Sequence, residues 1–164
     1  MTREEAESAL AELGQVGDDR FTLFEAALLC ALHEDPNREP DAARQLMDDA
    51  VERLTERLKR ESPEEALAET MAGDLRLNGD VLTFDDPANA DLLSVIERRR
   101  GLPVALSVLY LDASRRTGIN VQGVDFPGHF LLRIETEEGP LAMDPFSEGR
   151  VVLPSELIRR ETSR

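Results

Sequence analysis

The sequence predicts an α+β protein, with a helical N-terminal segment over residues 1–73 and a core over residues 74–164 in which one buried helix feeds an antiparallel sheet. Three observations carry this prediction. Helix-start signals crowd the first part. An almost unbroken apolar run, Val104 to Leu111, lies between Pro103 and Gly118. Several short apolar pieces separated by Gly-containing turns then follow toward the C-terminus.

Taken in order, Thr2 with Glu5, Thr22 with Glu25 and Ser62 with Glu65 have capping-box spacing, in which hydroxyl and carboxylate satisfy each other's orphan amides. They mark three helix starts. Phe21, Phe24, Leu28 and Leu32 give the second helix an apolar face, and "EDPNREPD", Glu34 to Asp41, interrupts it with two prolines. A third helix from about Asp41 repeats Ala43, Leu46 or Met47, Ala50, Leu54 and Leu58 at helical spacing, with Asp49/Arg53 and Glu56/Arg60 as i,i+4 pairs outside. A short fourth helix, Pro63 to about Met71, leads into an irregular stretch, and the character of the chain changes near Gly73.

After Asp86-Pro87, a helix with Leu92, Leu93 and Ile96 inside ends at Arg98-Arg99-Arg100-Gly101, where basic residues meet the negative helix end and Gly101 is expected to take the left-handed cap. Pro103 then opens a helix that reads as buried nearly all round and stops at Gly118. Ile119–Phe126, Phe130–Glu135, Leu141–Met143 and Val151–Leu153 read as strands, with "EEG" and "SEG" as turns.

Net charge is −15, from 34 acids against 19 bases, so the field repels phosphate backbones and anionic lipid surfaces; nucleic acid and membrane are not expected partners. No segment approaches the roughly 18 apolar residues of a membrane span, and a single cysteine excludes an internal disulfide. These features point to a cytoplasmic protein. Gly-rich phosphate loops, HExxH and Asp-rich calcium loops are absent, so neither cofactor nor metal is expected.

Chemistry concentrates in "GVDFPGHFLLRIETEEGPLAMDPF", Gly123 to Phe146. His129 precedes a buried-looking strand, where an imidazole needs a partner, and Asp144 ends the next apolar piece, so the two side chains meet if the strands pair. A histidine oriented by a carboxylate is the base half of a nucleophilic machine; the same pair also serves as plain architecture, and spacing alone favours that second reading. Cys30 lies within "FEAALLCALHE", flanked by Glu25, Glu34 and Asp35, and reads as a buried, inert thiol because activation needs an electropositive setting. No serine stands in a Gly-x-Ser-x-Gly context.

The run "DDPANADLLSVIERRRGLPVALSVLYLDASRRTGINVQGVDFPGHFLLR…MDPF" closely resembles the SirB-type branch of the transglutaminase-like superfamily, over Leu75 to about Leu153. The resemblance implies a papain-like core whose active members use a Cys-His-Asp triad. It places His129 and Asp144 on the histidine and aspartate of that triad. It places the nucleophile two residues after Gly101, at the start of the buried helix, and that residue is Pro103. The implied protein is therefore a non-catalytic binding or regulatory domain that holds a protein or peptide partner in a remnant cleft or presents its acidic helical surface. Two alternatives stand beside it: a hydrolase in which His129 and Asp144 activate water or a hydroxyl, and a scaffold piece of a longer helical-repeat protein.

Overall fold

A computed structural model describes residues 1–18, 20–127 and 129–162, without the side chains of residues 160–162. The N-terminal half is helical: α1 (Arg3–Leu13), α2 (Leu23–Glu34), α3 (Asp41–Arg57) and α4 (Pro63–Ala68), which runs on as a π-helical turn, Glu69–Asp74. Of the three capping boxes expected, only the first forms, with the Glu5 amide donating to Thr2 Oγ1 at 3.1 Å and the Thr2 amide to Glu5 Oε2 at 2.8 Å. Thr22 makes no side-chain cap, and the Glu25 carboxylate that would complete the box is held instead by the guanidinium of Arg44 at 3.0 and 3.1 Å. Two charge-assisted bonds outweigh one neutral cap. Ser62 also caps nothing, its Oγ being buried without a partner among the described residues.

α3 buries Ala43, Met47, Ala50 and Leu54, as its periodicity requires. Its charges do not pair along the helix as expected. Arg53 and Arg57 instead reach Asp74 on the π-helical turn, at 3.6 and 2.5 Å, and Glu56 meets Lys59 at 2.8 Å. The gain is tertiary: α3 is tied to the segment that leads into the core.

The second half begins with β1 (Asn78–Gly79), a 3-10 turn (Pro87–Ala90), α5 (Leu92–Arg98) and β2 (Arg100–Gly101), which pairs in parallel with β1. The left-handed cap of α5 falls on Arg99, at φ 62°, rather than on Gly101. Gly101 serves close approach instead: a Cβ there would sit 2.7 Å from Val95 Cγ2. α6 (Pro103–Thr117) follows at once, buried from Ala105 to Tyr110 and again at Asp112, Ala113 and Ser114, and Gly118 at φ 81° ends it.

The sheet is antiparallel in the order β3 (Val121–Phe126), β4 (His129–Thr136), β5 (Gly139–Asp144), β6 (Arg150–Val152). Leu132, Ile134 and Met143 point from it into the same apolar cluster as Leu106 and Leu109 of α6 and Leu28, Met47 and Leu54 of α2 and α3. One core thus runs through both halves. A last helix, α7 (Pro154–Thr162), was not expected from the sequence, although Pro154 at its first turn and Glu156 behind it are ordinary start signals. No helix among the described residues is long and apolar enough to cross a membrane.

Candidate functional site

β4 opens at His129, paired with Phe126 of β3, and β5 closes at Asp144. The β4–β5 register runs from Leu132 against Met143 to Thr136 against Gly139. His129 and Asp144 thus stand at the same end of two adjacent antiparallel strands. Their environments differ. His129 is exposed at the strand end rather than buried, and its imidazole makes no hydrogen bond to another described residue. Asp144 is 5% exposed and caps the 3-10 turn Pro145–Ser147, accepting from the Phe146 amide at 3.0 Å.

Behind Asp144 lies Tyr110 of α6, fully buried, its hydroxyl without a partner among the described residues. Gly149, at φ 68°, admits it: a Cβ at that position would stand 2.9 Å from the phenol oxygen. Burial first, and then the negative charges of Asp144 and Glu148, push the Tyr110 phenol well above its ordinary range, so it stays protonated.

Pro103 occupies the first turn of α6, where the missing amide costs nothing and φ suits the helix. The next residue, Val104, is 56% exposed. The helix start thus meets solvent with an imino acid and a valine. Cys30 is no substitute: it sits on α2, a different element, although it is exposed rather than buried as expected. The α2 wheel explains this, because Phe24, Leu28, Ala31 and Leu32 turn inward and leave Cys30 on the other side, lining a surface cavity of about 560 Å³ with Pro87 and Asp91.

The most extensive polar construction near Pro103 is one that sequence reasoning misses. Asp80, 1% exposed, accepts hydrogen bonds from the amides of Leu82 and Thr83 at 3.1 and 2.9 Å, from Thr83 Oγ1 at 2.5 Å and from Arg98 Nη2 at 2.9 Å. Those bonds, from Thr83 first, hold its carboxyl well below the usual carboxylate range. Asn89, fully buried, donates to the carbonyls of Thr83 and Phe84 at 2.7 and 3.2 Å, accepts from Arg98 Nη1 at 3.3 Å, and its own backbone carbonyl takes the Leu102 amide at 3.0 Å. The loop after β1 is thereby anchored to the residue before Pro103. The available signal is the Asp-Pro-x-Asn and Glu-Arg-Arg-x-Gly succession, in which Arg98 looks like a helix-end charge. No group of three His, Cys, Asp or Glu side chains among the described residues is placed to share a metal ion.

A helical N-terminal part, a buried helix, an antiparallel sheet and a His-Asp pair at the ends of two of its strands invite comparison with known proteins. The sequence profile of the transglutaminase-like superfamily matches residues 41–163. The chain belongs to that superfamily. The transglutaminase-like match begins at the first residue of α3, so it takes in part of the helical half as well as the sheet. Among curated relatives, a UPF0162 protein of Xylella fastidiosa is 36% identical over 156 residues, 90% of this chain and 54% of the relative. A UPF0162 protein of Pseudomonas aeruginosa is 32% identical over 137 residues, 80% of this chain and 49% of the relative. A shorter likeness, 37% over 59 residues, joins this transglutaminase-like chain to the F-box only protein 21 of Homo sapiens, of which it covers 9%. The chain spans about half the length of the UPF0162 relatives it matches. No solved structure matches it.

Proposed function

We propose that this transglutaminase-like domain, of the SirB-type branch, has lost the thiol mechanism and acts as a non-catalytic binding or regulatory protein, taking a protein or peptide segment in the remnant cleft between the start of α6 and the ends of β4 and β5. The observation that carries the reading is Pro103 in the first turn of α6. A helix N-terminus stabilises a thiolate through its dipole and free amides, and at this one the residue offers neither a nucleophile nor an amide. The acidic surface and the exposed His129 suit recognition of a polar or cationic segment.

The test is chemical. Purified protein should show no thiol-dependent peptidase, amidase or transamidase turnover, and Cys30→Ser should change nothing; a measured activity lost in that variant overturns the reading.

The rival is a hydrolase in which His129, open to solvent, serves as general base and Asp144 orients it. It is favoured by their places at the same end of two adjacent strands and by the exposure of the imidazole. Under it, hydrolytic turnover exists and His129→Ala abolishes it with the fold intact. A third reading, that the domain is one part of a longer scaffold, draws on the greater length of the UPF0162 relatives; solution mass and partner capture with the longer proteins test it.

A further inference from the structure

The loop after β1 exposes three large apolar side chains within four residues. Val81 is 72% exposed, Leu82 80% and Phe84 51%. Single exposed apolar residues are ordinary, whereas a contiguous group in a chain this polar marks a contact surface. This group is also held in place. Asp80 and Asn89 fix the backbone of Leu82, Thr83 and Phe84 through buried hydrogen bonds, and the Phe84 ring meets Phe146 edge-on at 6.0 Å between centroids. Phe146 in turn lies flat against Gly79, where any Cβ would overlap the ring at 2.3 Å. Because the Phe146 amide is the one that Asp144 caps, the loop abuts the Asp144 end of the site, while Asn89 connects it to the residue before Pro103. A loop backbone ordered before binding loses less entropy when a partner arrives.

The surrounding charge narrows the partner. Asp85 and Asp86 follow Phe84 directly and are exposed, and Asp85 makes no ion pair among the described residues. Glu148, exposed, donates its backbone amide to Asn78 at the base of the loop. Against these stands Arg100, exposed, opposite Asn78 in the β1–β2 pair. With the chain at −15, a second copy would be repelled.

The geometry points to the Val81-Leu82-Thr83-Phe84 loop as the recognition lip of the cleft, docking a partner segment that carries apolar residues beside basic ones, the apolar side chains on Val81, Leu82 and Phe84 and the cations toward Asp85 and Asp86. This rests on the binding reading above and names the partner's chemistry. Val81 and Leu82 support no part of the core, so the double variant Val81→Ser/Leu82→Ser keeps the wild-type melting temperature.

Random 12-residue peptides displayed on phage and selected on the full chain supply the probe. The expected enriched peptides combine Arg or Lys with Leu, Phe or Ile. Their affinity by fluorescence anisotropy falls at least ten-fold on the Val81→Ser/Leu82→Ser variant and about three-fold, with a weaker salt dependence, on Asp85→Asn. No enrichment, acidic consensus peptides, or undiminished binding to the double variant overturns the proposal, as does a concentration-dependent dimer in light scattering that this variant abolishes. A His129→Ala arm separates the two readings: loss on the loop variant alone keeps the lip and discards the cleft, and loss on His129→Ala alone keeps the cleft and discards the lip.

Discussion

The start of α6 and the end of β4 are built to opposite standards. Around Pro103 the backbone is tied down by buried side chains: Asp80 takes four hydrogen bonds, Asn89 bridges Thr83, Phe84 and Leu102, and Arg98 joins the two. Yet Pro103, the residue to which the resemblance assigns the nucleophile position, carries no nucleophilic group. His129, by contrast, stands on an exposed strand end where no described residue hydrogen-bonds its imidazole. Rigid scaffolding and chemical capacity are therefore separable, and a well-organised site is not by itself evidence of catalysis.

The largest perturbation should strike both regions at once. Leu132 is fully buried beneath the sheet in the core shared with α6, so Leu132→Ala should cost about 3–5 kcal/mol by denaturant unfolding, in a single transition. Two separated transitions would break the picture of one core under both regions. Asn89→Ala acts on one side only. It orphans two loop carbonyls and should cost about 2–3 kcal/mol, with faster amide exchange at Leu82, Thr83 and Leu102 and none gained along β3–β4.

Pro103→Cys, made in a Cys30→Ser background, asks what the blank position could have done. A thiol in the first turn of a 15-residue helix should titrate about one unit below an ordinary cysteine, seen as faster alkylation at neutral pH. A rate equal to that of Cys30 in the natural chain would mean that the organised helix start confers no activation. His129→Ala is the smallest: the exposed ring should be worth less than about 0.5 kcal/mol. A larger loss would show that the strand end depends on it after all.

Acid sharpens the contrast by another route. Arg57's hydrogen bonds hold the Asp74 carboxyl below its ordinary value, and those of Thr83 and Arg98 hold Asp80 low. A group whose folded pKa is depressed binds protons more readily in the unfolded chain. Its stabilisation is therefore present above the ordinary carboxylate pKa of about 4 and fades as pH falls below it. The unfolding free energy should drop below about pH 4, with a shallower acid slope in Arg98→Met. An unchanged slope in that variant would remove Asp80 from the account.

Much of the molecule is legible in local chemistry. α3, α6 and the four strands of the sheet follow from periodicity, Pro103 and Gly118 mark the ends of the buried helix, and the family motifs single out His129, Asp144 and Pro103. Sequence patterns mislead where a side chain has a choice of partner. Glu25 leaves its cap for Arg44, Arg53 leaves Asp49 for Asp74, and Arg98, which looks like a helix-end charge, is a part-buried bridge. Cys30 is misplaced by its sequence context because the apolar helix segment around it looks buried throughout, although only one side of it faces the core.

By itself the sequence determined the four-stranded sheet, the buried identity of α6 and the proline at its start, all of which depend on residue type and spacing along one stretch of chain. Tertiary structure alone decided that His129 stands in solvent while Asp144 is buried, that Asp80 and Asn89 clamp a loop to the start of α6, and that Val81, Leu82 and Phe84 are left uncovered. Exposure and the choice among hydrogen-bond partners depend on which distant segments arrive alongside. That is a property of packing, and no window of sequence contains it.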